Sequence, residues 1–332
     1  MTQTKYRKVW VDWMKTLGML TIIWGHCFPD GMSAFVYAFN VPVFFLISGY
    51  LTHQETSMKV CFEKTLHNLI IPYFILAFIK AAGYMFAHFS DGQWLWSVLA
   101  ILGGFHELHD AYGCSNLWFV YTLILIKFIY QLLPNYRLLL SCLCIGGAVA
   151  YNQYESDLAW SAVNMLLALP FFMLGNYFAS QKRFEEINAK LSSLNWGLWI
   201  LLLAGCIALT YTISYWNDTA KMYEGHYGES FWLFSLASLT GSAIIYLLSV
   251  RLNGIDWKWV RISSLGSIVT LVFHRELLHT PIKLVKNSDM DIFSANLALF
   301  FSSALVLIAF VPIIMIVKRV LPVVLGRRAK NI

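Results

Sequence analysis

The chain has 332 residues, of which 58% are hydrophobic and only 13% charged, with a mean hydropathy of +0.61. Soluble domains carry about a quarter charged residues, and apolar runs of membrane-spanning length recur here from end to end, so a soluble core is excluded. The net charge of +6 is read as membrane topology, not as a nucleic-acid-binding patch.

In chain order, hydropathy predicts about ten spans, near 10–28, 33–51, 66–87, 116–133, 138–151, 160–179, 194–215, 230–249, 262–280 and 295–317. The apolar run 94–104 is too short to cross and is expected as an interfacial or re-entrant piece between the third and fourth spans. With a cytoplasmic N-terminus, eighteen Lys and Arg fall on inside segments, and only Lys221, Lys283 and Lys286 on outside loops. The positive-inside rule therefore favours ten spans with both termini cytoplasmic, because one span more or fewer inverts every later loop. No linker, low-complexity tract or internal repeat breaks the chain, so residues 1–332 read as a single membrane domain. A cleavable signal peptide is not expected, since the first apolar run continues into a motif studded with polar residues. The expected fold is an all-α, polytopic membrane helical bundle. The six cysteines show no metal-ligand spacing, and only Cys114 reads as loop-exposed.

The first span carries three residues that lipid rejects: Asp12, Lys15 and His26. Lys15 and His26 are eleven positions apart, so they return to one helix face about 16 Å apart along the axis. Ionisable groups at membrane depth are functional candidates; the plainer roles are a lysine that snorkels and a histidine that bonds between helices. Asp12 lies about 21 Å from His26 by helix rise, too far to orient it, and Asp30 follows Pro29, where the helix is expected to end. Asn116 and Trp118 open the fourth span. Interfacial anchoring is the ordinary role of such a Trp, and an aromatic platform for a sugar ring is the sharper one. In the ninth span, His274, Arg275, Glu276 and His279 are expected in the outer half. They form either a self-satisfied ion cluster or a wall of a pocket with His274 or Glu276 near His26. The loop sequence His106-Glu-Leu-His-Asp110 lacks the paired histidines of a zincin helix, and no metal is expected.

The spacing of a basic residue, ten residues and His, met by Lys15 and His26 with Asp12 before and Gly25 beside them, resembles the opening of the integral-membrane acyltransferases of acyltransferase family 3. The flavour is that of the fucose 4-O-acetylase and polysaccharide O-acetyltransferase group. Val41-Pro-Val-Phe-Phe-Leu-Ile-Ser-Gly-Tyr-Leu51 is similar to the family's second helix. Ile71-Pro-Tyr-Phe74, Leu117-Trp-Phe119, Leu169-Pro-Phe-Phe-Met-Leu-Gly175 and Leu265-Gly-Ser ending in His274 follow in the family's order. Two positions depart: Asn40 stands where the family often has His, and only Lys64, His67 and Asn68 precede the Pro-Tyr of the third span, where more basic residues are usual.

The resemblance implies transfer of an acyl group, acetyl first among them, from cytoplasmic acyl-CoA to a hydroxyl of an extracytoplasmic or lipid-linked sugar or polysaccharide. The setting would be the inner cell membrane, with the lipid bilayer as surroundings and no bound cofactor besides the donor substrate. His26 would be the catalytic base. Lys15 and Lys64 would bind the donor, and Asn40, Asn116, Trp118, His274, Arg275 and Glu276 would be substrate-binding candidates. The residue chemistry agrees: a lysine suits the phosphates of the donor's nucleotide end, and a neutral imidazole suits deprotonation of a hydroxyl. The pantetheine arm is long enough to cover the rise between them. Direct transfer and a covalent acyl-histidine stand as alternatives. The acidic outer loops weigh against a highly anionic acceptor. A transporter or flippase for a glycan intermediate is the competing function, although the internal repeats common in transporters are absent. A non-catalytic partner in glycan assembly, for which neither Lys15 nor His26 would matter, is the third.

Overall fold

The computed structural model describes residues 7–105, 116–151, 161–181 and 183–326. Among them the chain is all-helical, with short 3-10 and π turns and one isolated bridge between Lys221 and His226. Cys114 and the His106–Asp110 stretch lie outside the described residues.

Every expected span has a helical counterpart, and its limits shift where local chemistry intervenes. Helix α1 (Val9–Gly25) is closed by His26, because Phe28 adopts a left-handed conformation (φ 50) and Pro29 has no N–H to continue the ladder. The second span is broken into α2 (Ser33–Tyr37) and α3 (Pro42–Leu51), with Asn40 in the turn between them and Pro42 starting the new helix. Helix α4 (Met58–Thr65), capped by the Ser57 hydroxyl, runs through a π turn at Leu66–Ile70 into α5 (Ile71–Ala87). Then follow α6 (Trp94–Gly103), α7 (Trp118–Leu132) and α8 (Arg137–Tyr151). The rest are α9 (Ala162–Ser180), α10 (Arg183–Ser193), α11 (Trp196–Asn217), α12 (Phe231–Arg251), α13 (Lys258–Leu265), α14 (Ser267–Lys286) and α15 (Ile292–Val320).

Six helical runs are long and apolar enough to cross a membrane, or seven if α7 and α8, bent by 100° at Pro134, form one broken span. The count of ten is thus not met by length and apolarity among the described residues. The reason is physical: α1 has 17 residues and carries Asp12 and Lys15, and α14 carries Lys, Arg, Glu and His. Helices built around polar groups score poorly as lipid-facing rods and are satisfied by protein neighbours instead. Helix α6 is the short piece expected. Its buried Ser97, Ala100 and Ile101 dock on α5 and α7, where the Tyr73 hydroxyl donates to the Ile101 carbonyl at 2.8 Å and Tyr121 to that of Leu102 at 3.0 Å.

Helix α1 lies centrally, packed against α3, α12, α13, α14 and α15. At its Lys15 end an ion network explains Asp12, which pairs with Arg7 at 2.5 Å and accepts from the Ser264 hydroxyl at 2.5 Å. Arg7 also reaches Asp256 at 3.0 Å, and the Asp256 carboxyl is held below its usual range chiefly by Arg261 and then by Arg7. Helices α11 and α15 instead present rows of exposed apolar side chains, Leu198 to Leu209 on one and Phe301 to Ile316 on the other. That is the surface expected toward lipid.

The tightest crossing joins α3 to α9. A Cβ built at Gly49 would lie 1.9 Å from the Phe172 carbonyl oxygen, and one at Gly175 would lie 1.9 Å from that of Leu46. Small residues permit this approach, and backbone atoms cannot move aside as a flexible side chain can. Asn176 secures the seam, donating to the Thr52 carbonyl at 2.7 Å and accepting from Tyr130 at 3.1 Å. Gly175→Ala is expected to destabilise the bundle by about 2 kcal/mol, read as a lower thermal midpoint in detergent. An unchanged midpoint would show that the two helices separate at no cost.

Candidate active site

His26 is placed by the end of α1. Its backbone N–H still donates to Ile22 at 3.1 Å, so the ring projects where the helix stops and the chain turns through Phe28 and Gly31. The ring lines a cavity of about 100 Å³. The same cavity is lined by Asn40 from the α2–α3 turn, Asn116 and Trp118 from the start of α7, and Arg275 from α14. Residues scattered over 250 positions of sequence therefore meet at one place.

Each arrives for a local reason. Asn40 comes close because Gly25 has no side chain: a Cβ there would lie 2.9 Å from Asn40 Nδ2. Asn116 holds a left-handed conformation (φ 71), which asparagine tolerates better than most residues, just before α7 begins. Trp118 is the first residue of α7 and is buried in the cavity wall, not anchored in an interfacial belt. Among the described residues, Asn40 Oδ1 and Asn116 Nδ2 are buried without a hydrogen-bond partner. A buried acceptor and a buried donor left open in one cavity are each costly, unless a ligand or water completes them.

The ninth predicted span is interrupted at Gly266, where the helix passes so close to Ile314 that a Cβ would meet its side chain at 2.4 Å. The helix restarts at Ser267 and runs to Lys286, with His274 as its eighth residue. His274 is fully buried, and its ring centre lies 4.8 Å from that of His26. Glu276 is two residues on, about 200° around the helix, and it points elsewhere, to an ion pair with Lys80 of α5. Of the two candidates for the neighbourhood of His26, the structure brings His274 there and not Glu276.

Lys15 is half-buried on α1 and does not line the cavity. Lys64 is exposed on α4 and pairs with Glu55. Among the other lining residues, Phe28, Tyr37, Ala220, Met222 and Tyr223 were not anticipated. Phe28 and Tyr37 stack at 6.3 Å. The connection 218–230 is drawn onto the bundle by Asn164, whose amide donates to the carbonyls of Met222 at 2.7 Å and Tyr223 at 2.8 Å. A buried asparagine in α9 was the one available signal, and its partner in a distant loop was not legible.

The cavity thus presents an imidazole, a guanidinium, two open amides and several aromatic faces. A family model described as an acyltransferase domain matches residues 8–317. The chain belongs to acyltransferase family 3. No curated protein and no solved structure matches it. The protein is therefore a multi-pass membrane acyltransferase, and the transporter reading falls away. The fucose 4-O-acetylase-like group is not established by the match.

Proposed function

We propose that this acyltransferase moves an acetyl group from cytoplasmic acetyl-CoA to a hydroxyl of an extracytoplasmic or lipid-linked sugar, within the inner cell membrane, with both termini cytoplasmic. The observation that carries the reading is the shared cavity, in which His26 stands beside the open Asn40 and Asn116 amides and an aromatic wall. Sugar hydroxyls both donate and accept, so they answer Asn40 Oδ1 and Asn116 Nδ2 together. Sugar rings offer C–H faces to aromatic side chains.

In the proposed step, His26 takes the proton of the acceptor hydroxyl. The oxygen attacks the thioester carbonyl, and Arg275 supplies positive charge for the tetrahedral oxyanion. Collapse breaks the C–S bond, the CoA sulfur leaves with the proton carried by His26, and an oxygen ester remains. Lys15 holds the anionic end of the donor about 16 Å along the helix, and Lys64 adds to it where phosphate displaces Glu55.

The test uses purified protein in nanodiscs, acetyl-labelled acetyl-CoA, and measured release of free CoA and transfer of label to candidate glycans. Wild type is expected to release CoA in the presence of an acceptor. Lys15→Ala is expected to raise the donor KM at least several-fold, and Asn40→Ala with Asn116→Ala to raise the acceptor KM while the donor KM holds. Failure of well-folded protein to bind acetyl-CoA would overturn the donor assignment. An acetyl acceptor without hydroxyl sugars would overturn the acceptor.

A further inference from the structure

A second concavity lies at the end of α1 remote from His26, between α13 and α15. It is an open groove of about 490 Å³, walled by Trp257, Trp259, Ile262, Val311 and Met315, with the exposed Lys258 beside them. The wall is apolar, yet Trp257 stays 51% and Met315 42% exposed. The two indoles are braced by a third. Trp13 of α1 packs on Trp257 with ring centres 5.6 Å apart and on Trp259 at 5.7 Å, and its own N–H donates to the Ile255 carbonyl at 2.8 Å. On α15, Arg319 stands one turn beyond Met315 with Lys318 beside it, so cations continue the stripe that Val311 and Met315 begin. Among the described residues, neither Lys258 nor Arg319 pairs with a carboxylate. Asp256, next to Trp257 in sequence, is held by Arg261 and Arg7.

We infer that the α13–α15 groove is a binding site for one anionic phospholipid, with an acyl chain on Val311 and Met315, the glycerol region on the Trp257 and Trp259 rings, and the headgroup phosphate at Lys258 and Arg319. The groove is continuous with the exposed apolar row of α15, to which Met315 also belongs, so a chain enters sideways from the lipid-facing surface. Its size falls within the roughly 300–1,000 Å³ of small-molecule sites. Charge selects the class of lipid. A zwitterionic headgroup brings its own ammonium toward these cations, whereas an anionic one brings only attraction, and basic pockets between membrane helices hold anionic headgroups in this way. A soluble anion would answer the cations but leave the apolar wall wet. An ordinary belt tryptophan sits singly at the headgroup level; here two indoles form one wall of a groove and share a brace. The groove has no lining residue in common with the His26 cavity, and the lipid site does not rest on the acyl-transfer reading.

The test titrates the full-length protein, purified in detergent, with phosphatidylglycerol or with phosphatidylcholine of identical acyl chains, and counts bound lipid by native mass spectrometry. Wild type is expected to bind phosphatidylglycerol about tenfold more tightly than phosphatidylcholine. Lys258→Gln combined with Arg319→Gln is expected to bring the two lipids to near parity by weakening phosphatidylglycerol alone. Equal binding of both lipids by wild type, or a preference that survives in the double variant, overturns the inference. A second arm uses unmodified protein and phosphatidylglycerol carrying a photoreactive group in an acyl chain near the ester. Label is expected on peptides of α13 and α15; label confined to other helices overturns the site, and this arm decides if the variants fail to fold. Protection of those peptides by inorganic phosphate alone would show a soluble-anion site and overturn the lipid. A dimer that excludes lipid and is lost in Trp257→Ala would show that a second copy covers the groove, and overturns it too. Neither arm uses acetyl-CoA, so the result stands or falls apart from the proposed reaction.

Discussion

Under the proposed mechanism, His26→Ala is expected to lower acetyl transfer by about a thousandfold, since a positioned general base contributes roughly 10²–10⁴. The expectation rests on placement. His26 is the imidazole that lines the cavity, whereas His274 is fully enclosed behind it. The loss should fall on kcat, because the side chain that takes the proton contributes little to holding the donor at its distant anionic end. Acetyl-CoA binding measured directly should therefore persist in the variant. Steady-state CoA release, with acceptor present, provides the measurement. Residual turnover above about a tenth of wild type would mean that another group accepts the proton. A burst of CoA from wild type without acceptor, with label retained on the protein, would point to the covalent acyl-histidine route in place of direct transfer.

The second large effect is on stability. Lys80 lies inside α5 with its side chain only 11% exposed, over the Phe273 ring at 5.7 Å, and pairs with Glu276 of α14. Removing one partner of a buried ion pair strands the other charge and costs about 3–5 kcal/mol in buried settings. Glu276 is half exposed, so Glu276→Leu is expected to fall at the lower end, about 3 kcal/mol. Because the cost is that of an unpaired cation, Lys80→Met combined with Glu276→Leu should restore most of the thermal midpoint. Thermal unfolding in nanodiscs at several salt concentrations tests it. A double variant no more stable than Glu276→Leu would show that the pair's worth is packing and not charge. Transfer per folded molecule should be little changed in either variant, because neither side chain lines the cavity.

These two cases mark how far sequence reading reaches. Hydropathy alone identifies a polytopic helical membrane chain, since apolar runs of that length have few other solutions. It also marks 94–104 as too short. Hydropathy scores each helix against lipid and does not see that α1 and α14 are solvated by neighbouring helices. The Lys15 and His26 spacing is legible because a helix repeats its face at fixed intervals. The location of Asn40 at a break, and the restart of the ninth span after Gly266, follow from close approaches between helices, and a linear pattern does not contain them.

The sequence by itself determined the class of fold, the identity of the polar residues held at membrane depth, and a motif that places a cation and an imidazole on one helix. Helical periodicity and the cost of polar groups in lipid are local properties, so one strand of sequence suffices to state them. Only the tertiary structure decided which of those residues meet. It set His274 against His26 and turned Glu276 away to Lys80, and it folded the 218–230 connection into the cavity wall. The physical reason is that these relations depend on the rotation and crossing of helices far apart in the chain. Those are set by glycine contacts such as Gly49 with Phe172 and Gly266 with Ile314, and a sequence met alone does not say which glycine faces which helix.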